Sequence, residues 1–294
     1  MTRPIDQVRQ MLADLIGGPD TPWRERRAQT ETFAAAFVAP EGIRIEQGKL
    51  GAVDCEWVVP VDAAPAPVFL HLHGGGYVMG MPAASRTLTA QLALTKAMRV
   101  VSIDYALAPE NPFPAAVDDA LAAYRALLDA GISPGKIAIG GESAGGGLTI
   151  ATLIAARDAG LPMPASAIAI SPWTDMTCSA RSFDTKADVD PLLTRRSLAE
   201  MADAYLAGAD PRAALASPGL ADLRGLPPLF IHVGSEEVLL DDAVGLHAAA
   251  RRAGVDATLE VWNDMIHVWH MFHPALPQAA DAIDGLVRFL GRHW

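Results

Sequence analysis

The sequence predicts an α/β fold with a mostly parallel, doubly wound sheet flanked by helices. Short and continuously apolar segments recur along the chain, which is typical of strands buried on both faces of a parallel sheet. Helix-like segments separate them, and this alternation favours a parallel sheet over separate blocks of strands and helices. The length of 294 residues, of which 51% are apolar and 19% charged, fits one large globular unit.

Six apolar segments are predicted as strands of this sheet. They are residues 68–73, 100–105, 137–140, 167–171, 229–234 and 258–262. The helices predicted beside them are residues 85–97, 116–130, 146–159, 241–253 and 278–290. Residues 44–46 and 55–59, joined through Gly48 and Gly51, are typical of an antiparallel hairpin at one edge of the sheet.

Two segments depart from this alternation and predict a helical cap over the active face. Residues 1–42 precede the first strand with two helix-like stretches, 6–16 and 23–37. Residues from about 180 to 226 surround one predicted helix, 197–206, with Asp-Pro and Ser-Pro breakers. Apolar side chains of the second segment predict an apolar ceiling for a pocket: Leu192, Leu193, Leu198, Met201 and Tyr205.

Charge and composition argue against several classes of protein. With 34 acidic and 23 basic residues the net charge is −11, whereas a nucleic-acid-binding surface needs the opposite sign. The N-terminus shows neither the basic nor the apolar region of a signal peptide, and no apolar run approaches the roughly 18 residues of a membrane span. We therefore expect a cytoplasmic protein in which Cys55 and Cys178 are buried thiols rather than metal ligands or a disulfide.

The strongest local signal for chemistry is Gly141-Glu142-Ser143-Ala144-Gly145, a G-x-S-x-G motif. It lies between a predicted strand and a predicted helix, the context in which a nucleophilic serine occupies a sharp and strained turn. The helix would direct its first N–H groups toward charge that develops beside Ser143. The alternative is a glycine-rich turn for phosphate, but neither G-x-G-x-x-G nor a Walker lysine accompanies it.

A second glycine-rich segment, His73-Gly74-Gly75-Gly76, follows the first of the six predicted strands. Acyl transfer needs N–H donors where the carbonyl oxygen becomes negative, and consecutive glycines let the backbone approach a substrate closely. We expect the N–H groups of Gly75, Gly76 and Ala144 to form this oxyanion hole. Taken alone, the segment is equally compatible with a flexible turn.

A nucleophilic serine also needs a base. The histidines after Ser143 are His232, His247, His267, His270, His273 and His293. His267 directly follows the last predicted strand, where a loop can place it over Ser143, while His232 lies within a strand and is expected in the core. His267, His270 and His273 also suggest a metal site, but on a helix they would spread over roughly 120°, and neither cysteine nor carboxylate joins them.

Spacing leaves three candidates open for the acid that orients the histidine: Glu236, Glu237 and Asp241. All three follow the predicted strand 229–234, and a carboxylate at that end of the sheet can hold an imidazole in the required tautomer. Asp241 and Asp242 are equally compatible with the first turn of the next helix.

These motifs together resemble the bacterial hormone-sensitive lipase family of esterases, a branch of the α/β-hydrolases. Residues 104–110 and 112–116 are similar to the family's D-Y-R-L-A-P-E and P-F-P-A-A signatures. The resemblance runs from about residue 43 to the C-terminus. It implies an α/β-hydrolase catalytic domain at residues 43–294, with residues 1–42 and about 180–226 contributing the cap.

The resemblance also assigns residues and ligands. In the family the acid occupies the first position of a D-P-L-x-D pattern, which residues 237–241 resemble, so Glu237 takes the acid role and His267 that of the base. It further implies a short-chain ester as substrate, no cofactor, and a homodimer through the last strand and helix. Three residues depart from the family pattern: Glu142 replaces Asp or Thr, Glu237 replaces Asp, and Ala106 replaces Arg.

The sequence therefore predicts a carboxylic-ester hydrolase that works through an acyl-enzyme on Ser143, with His267 as base and Glu237 as acid. Two alternatives remain at this stage. One is a homologue that binds a small molecule without chemistry, and the other uses the same triad on a lactone, an amide or an acetylated metabolite.

Overall fold

An eight-stranded sheet organises the chain, whose computed structural model describes residues 2–16, 18–35, 37–61 and 67–294. The strands are β1 (Ile43–Leu50), β2 (Val53–Pro60), β3 (Val68–Leu72), β4 (Arg99–Ile103), β5 (Ile137–Glu142), β6 (Ser166–Ile170), β7 (Leu229–Gly234) and β8 (Ala257–Trp262). They lie in the order β1-β2-β4-β3-β5-β6-β7-β8. The pairs β1–β2 and β2–β4 are antiparallel, and every other neighbouring pair is parallel.

Helices cover both faces of this sheet. They are α1 (Pro4–Ile16), α2 (Trp23–Ala35), α3 (Arg86–Lys96), α4 (Ala115–Asp129), α5 (Ala144–Asp158), α6 (Ser182–Thr185), α7 (Arg195–Leu206), α8 (Leu240–Arg252) and α9 (Pro277–His293). Successive side chains of a strand point to opposite faces. Accordingly Leu70 of β3 packs in the cluster formed with α4, α5 and α8, and Phe69 packs in the cluster formed with α3 and α9. The predicted doubly wound α/β fold is confirmed.

The six predicted strands are present as β3 to β8, with ends that differ from the predicted ones by at most two residues. The edge hairpin is also present as β1 and β2, but the predicted role of Gly48 in its turn is wrong. Gly48 pairs with Cys55 inside the ladder, while Gly51 lies in the turn with φ 63°. The strands are longer than their apolar segments because backbone pairing continues through polar residues on the solvent side.

The segments predicted as a cap contain more helix than the sequence indicated. Between residues 180 and 226 the chain forms α6 and a 3₁₀ helix at Pro218–Leu220 in addition to α7. In the N-terminal segment, α1 packs Ile5, Val8 and Leu12 against residues that follow β8. Residues 1, 17 and 36 of the predicted 1–42 segment lie outside the described residues.

The parallel register brings several loops to one edge of the sheet. Leu72, the last residue of β3, pairs with Gly141 of β5, and Glu142 pairs with Ile170 at the end of β6. The loops that leave these strands at their carboxyl ends carry the glycine-rich segments, which is the edge where open α/β sheets bind ligands. No helix in the described part of the chain is long and apolar enough to cross a membrane.

Candidate active site

Ser143 occupies a strained turn between β5 and α5. Its backbone has φ 58° and ψ −121°, a conformation that L-residues adopt rarely and only where neighbouring structure enforces it. Two hydrogen bonds hold Ser143 in this conformation. Its backbone N–H donates to the Ile170 carbonyl at 2.8 Å, and its backbone carbonyl accepts from the Trp173 N–H at 3.0 Å. The hydroxyl is thereby held at the end of the sheet, at the first turn of α5.

Gly145, which follows Ala144, must be a glycine because the end of β3 lies against it, and not only because of the turn. A Cβ atom on Gly145 would lie 1.9 Å from the Leu72 carbonyl oxygen and 2.6 Å from that of His73. Any side chain here would push α5 away from the end of β3. The two glycine-rich segments of the sequence therefore touch each other.

The loop after β3 presents backbone N–H groups beside Ser143. Gly75 and Gly76 have φ values of 116° and 63°, which favour glycine. Within the described part of the chain, the N–H groups of Gly75, Gly76 and Ala144 make no hydrogen bond. A Cβ atom on Gly74 would be 3.3 Å from the Ser143 Cβ, so the loop that carries the Gly75 and Gly76 donors passes beside Ser143. They are available to a negatively charged oxygen.

His73, at the start of that loop, has a supporting position. Its ring stacks on Tyr105 with 4.1 Å between centroids, and the Tyr105 hydroxyl donates to the His73 carbonyl at 2.8 Å. Burial lowers the pKa of His73 to about 4, so the imidazole is neutral at physiological pH. The histidine therefore fills space beneath the loop without adding charge.

Glu142, the residue before Ser143, binds the glycine-rich loop after β3, which we call the oxyanion loop after its predicted role. Its Oε1 accepts from the Gly74 N–H at 2.8 Å and from the Ser85 hydroxyl at 2.7 Å, while Oε2 lies 2.8 Å from His71 Nε2. The other nitrogen of His71 is 2.8 Å from the Ser102 hydroxyl. Burial opposes ionisation of Glu142, but the His71 charge and these hydrogen bonds outweigh it and lower the pKa of the carboxyl.

His267 and Glu237 form a buried pair. His267 Nδ1 is 2.8 Å from Glu237 Oε2, and Glu237 is fully buried. The other carboxylate oxygen accepts from the Ser171 hydroxyl at 2.8 Å and from the Gly234 N–H at 2.5 Å. These hydrogen bonds fix both carboxyl oxygens of Glu237 and aim Oε2 at the His267 ring. Ser171 also accepts from the Val268 N–H at 3.2 Å, which fixes the residue after His267.

The other candidate acids are engaged elsewhere. Glu236 forms an ion pair with Arg9 of α1, and Asp241 accepts from the Ser182 N–H at 2.9 Å. Asp242 accepts from the Thr174 N–H at 2.9 Å, and its burial raises its pKa to about 7. Both aspartates lie in the first turn of α8, as expected for acids at a helix N-terminus.

The Ser143 hydroxyl itself forms no hydrogen bond with the described residues. Ser143 and His267 are 9% and 7% exposed, so each side chain is largely buried but still reaches the surface. Catalytic hydrogen bonds are often long without substrate and shorten when it binds.

In the H-x-x-H-x-x-H pattern, His270 pairs with His232, a histidine outside the pattern, and not with His267. His270 Nε2 is 3.1 Å from His232 Nδ1, and His232 Nε2 is 3.2 Å from Glu260 Oε2. Burial lowers the pKa of His232 and lowers that of His270 further. The ring of His267 thus contacts a carboxylate while that of His270 contacts another histidine. Among the described residues no group of three or more side chains is arranged to hold a metal ion.

Three supporting residues were not identified from the sequence: His71, Ser171 and Asp190. Asp190 is 3% exposed and accepts from the Val238 N–H at 2.9 Å, directly beside Glu237. The sequence offered only its Asp-Pro dipeptide, a turn signal. Such contacts join loops that lie far apart in the chain, so local patterns carry no information about them.

Residues 69–271 match the model of a family described as having the alpha/beta hydrolase fold. The chain belongs to this α/β-hydrolase family. A relative from Streptomyces hygroscopicus, named acetyl-hydrolase, is 48% identical over 241 residues, which are 82% of this chain and 80% of the relative.

Solved structures place this α/β-hydrolase in a narrower group. A crystal structure of an esterase/lipase from an uncultured bacterium is 46% identical with a TM-score of 0.94, covering 100% of this chain and 99% of that one. An esterase from the bacterial hormone-sensitive lipase family is 43% identical with a TM-score of 0.95, again covering 100% and 99%. The resemblance to the bacterial hormone-sensitive lipase family is confirmed.

Proposed function

We propose that this α/β-hydrolase is a carboxylic-ester hydrolase whose catalytic residues are Ser143, His267 and Glu237. The observation that carries the proposal is the buried Glu237 carboxylate, which bonds His267 Nδ1 at 2.8 Å. This pair stands at the same sheet edge as the strained Ser143 and the free loop N–H groups. The names esterase and acetyl-hydrolase of its relatives support the same reaction.

The geometry supports an acyl-enzyme mechanism. His267 Nε2 takes the proton of the Ser143 hydroxyl while Oγ attacks the ester carbonyl, and Glu237 stabilises the imidazolium that forms. The carbonyl oxygen becomes negative and accepts hydrogen bonds from the N–H groups of Gly75, Gly76 and Ala144. His267 then protonates the leaving alcohol as the C–O bond breaks. Water then attacks the acyl carbon while His267 takes its proton. As the bond between the acyl carbon and Ser143 Oγ breaks, His267 returns that proton to Oγ, which releases the acid and restores Ser143.

Packing above the oxyanion loop favours short acyl chains. A Cβ atom on Gly76 would lie 2.3 Å from Met201 Sδ, so α7 sits directly on the loop. Tyr205 of α7 stacks on Tyr77 with 3.9 Å between ring centroids. This packing against the oxyanion loop supports a confined pocket and therefore a short acyl group. The relative named acetyl-hydrolase agrees with this preference.

The division of the chain into a catalytic domain and a cap is part of the proposal. Residues 43–294 would carry the sheet and the triad, and residues 1–42 with about 180–226 the cap. Contacts between the two cap segments support it: Arg9 Nη1 donates to the Val189 carbonyl and Arg26 Nη1 to the Leu192 carbonyl, both at 2.8 Å.

Assembly and location are also proposals. β8 is an edge strand of the sheet, which supports a homodimer through β8 and α9, and light scattering after size exclusion would measure it. A cytoplasmic location is supported by two thiols that are free and buried, Cys55 and Cys178.

The test is hydrolysis of p-nitrophenyl esters from acetate to palmitate by the protein and by Ser143→Ala. We expect turnover that is fastest with short chains and falls by about 10⁶-fold in the variant, as in other serine triads. A fluorophosphonate should label Ser143 in the protein and leave the variant unlabelled. A folded protein that neither turns over an ester nor reacts with the probe would contradict the proposal.

A further inference from the structure

Asp190 is a buried carboxylate on the loop between α6 and α7. It is 3% exposed. Its Oδ1 accepts from the N–H groups of Leu192 and Leu193 at 2.9 and 3.0 Å, and its Oδ2 accepts from that of Val238 at 2.9 Å. All three partners are donors, so both oxygens act as acceptors, and these hydrogen bonds favour the ionised carboxylate.

One of these bonds crosses to the loop that carries the catalytic acid. Val238, which accounts for this bond, directly follows Glu237. Glu236, which directly precedes Glu237, is paired with Arg9. Arg9 also donates to the carbonyl of Val189, the residue before Asp190. The three residues from 236 to 238 are therefore attached to the cap at both ends, with the catalytic carboxylate between the two attachments.

Charge at this position acts on the catalytic pair. The charged groups that face Asp190 are His267 after β8, Glu237 after β7 and Arg26 on α2. Burial raises the pKa of Asp190, and the His267 charge opposes that rise. The interaction is reciprocal, so a negative charge on Asp190 favours a positive charge on the His267 ring, and the burial of both residues limits screening by solvent.

We propose that Asp190 is a positioning residue for the catalytic pair: it holds the Glu237 loop through the Val238 N–H and adds a second negative charge that stabilises the imidazolium of His267. The inference rests on the proposed ester hydrolysis. It assigns to the cap a part in the chemistry, because the carboxylate belongs to the segment between α6 and α7 and not to the sheet.

The experiment compares Asp190→Asn with Asp242→Asn, which controls for the loss of a buried, hydrogen-bonded carboxyl group. Asp242 is also a buried carboxylate that accepts two backbone N–H bonds, from Thr174 and Asp175, but His267 is not among the groups acting on it. For Asp190→Asn we expect kcat to fall about tenfold with KM unchanged. The acid limb of kcat/KM should move down by about half to one pH unit, because a neutral residue no longer favours the protonated ring.

Two further variants separate charge from packing. Asp190→Glu keeps the charge and should keep the acid limb in its original position even if packing is disturbed. Asp190→Ser removes the charge while leaving an acceptor for the Val238 N–H, and it replaces the Asn variant if that one does not fold. If Asp190 had only a structural role, its substitutions would lower the stability of the protein, and none of them would move the acid limb of kcat/KM.

The ring of His267 is also titrated directly by NMR in each folded variant, which needs no turnover. A lower His267 pKa in the uncharged variants, with no change in Asp242→Asn, supports the proposal. An unchanged His267 pKa in the uncharged variants, or an equal change in Asp242→Asn, overturns it. An inactive protein with the expected NMR shifts would contradict the proposed function and leave the role of Asp190 supported.

Discussion

Glu142 shows how a single side chain can serve both halves of the site. Its carboxylate accepts from Gly74 in the oxyanion loop and from Ser85 at the start of α3, and it pairs with His71. The departure from the family's Asp or Thr at this position is therefore accompanied by a specific set of partners. The longer glutamate reaches the N–H of Gly74 directly.

From these contacts we expect Glu142→Gln to lower kcat about tenfold, because the neutral amide loses the charge interaction with His71 and keeps one acceptor oxygen in place of two, so the loop after β3 is held less firmly. An aryl boronate, which mimics the tetrahedral intermediate, should bind correspondingly more weakly, while KM stays close to its original value. Glu56→Gln is the control, since Glu56 is a buried carboxylate paired with Arg86. A variant that loses stability but not boronate affinity would contradict this role of Glu142.

At the same scale, Glu237 and Glu236 are adjacent residues with different contacts. Glu237 bonds His267, whereas Glu236 pairs with Arg9. We expect Glu237→Ala to reduce kcat roughly 10³- to 10⁴-fold, the cost of losing the orienting carboxylate of a triad. Glu236→Ala should reduce it less than tenfold. The two variants are compared by steady-state hydrolysis of a short aryl ester, and the reverse order would move the acid role to Glu236.

At the scale of elements, β7, β8 and the short 3₁₀ helix Trp269–Phe272 enclose a pair of histidines. The rings of His232 and His270 are 3.1 Å apart at their nitrogens, and both are kept neutral by burial, which lowers their pKa values. In the unfolded chain each binds a proton near pH 6.5. Stability supplied by their burial is therefore complete above that pH and is lost as the pH falls through it.

Each such histidine makes the unfolding free energy fall by at most about 1.4 kcal/mol per pH unit below about pH 6. We expect His270→Asn to make this dependence shallower by up to that amount, measured by urea unfolding between pH 5 and 7. Asp242→Asn should make the dependence steeper. The folded pKa of Asp242, about 7, lies above its unfolded value, so the contribution of Asp242 to the unfolding free energy falls as the pH rises. Equal slopes of the unfolding free energy against pH in the unmodified protein and the two variants would contradict the assignment of this pH dependence to His270 and Asp242.

The elements themselves follow from local pattern to different degrees. The apolar runs of β3 to β8 and the motif at the start of α5 could be predicted because burial on both faces demands continuous apolar residues. The length of β1 and β2 could not, since Gly48 and its polar neighbours are held there by pairing across the hairpin. The same holds for α6, whose Ser182 is fixed by bonds to Val238 and Asp241 from a distant loop.

At the scale of the whole molecule, the N-terminal helix supports the loop that carries His267. Ile5, Val8 and Leu12 of α1 form one cluster with Met265, Ile266 and Trp269, on either side of that histidine. Residues at the two ends of the chain thus build one part of the active face.

We expect Val8→Asp to lower the unfolding free energy by about 2–4 kcal/mol, since it buries an unpaired charge in this cluster. It should also lower kcat, because the His267 loop loses its support. Gln7→Asp places the same charge on an exposed position of α1 and should change neither quantity appreciably. Urea unfolding and ester hydrolysis measure the two effects, and a Val8→Asp variant with full activity would show that α1 does not hold the loop.

The sequence by itself determined the fold class, the strained serine turn and the glycine-rich loop, because each depends on neighbours close along the chain. It narrowed the base to a few histidines and, without the family resemblance, left Glu236, Glu237 and Asp241 equal as acids. Only the tertiary structure decided which carboxylate reaches His267. The three lie within six residues of one another and differ only in direction, which is set by contacts with Arg9, Ser171 and Ser182 from remote segments. Asp190 became visible for the same reason: its partner lies 48 residues away in sequence, and packing alone brings the two together.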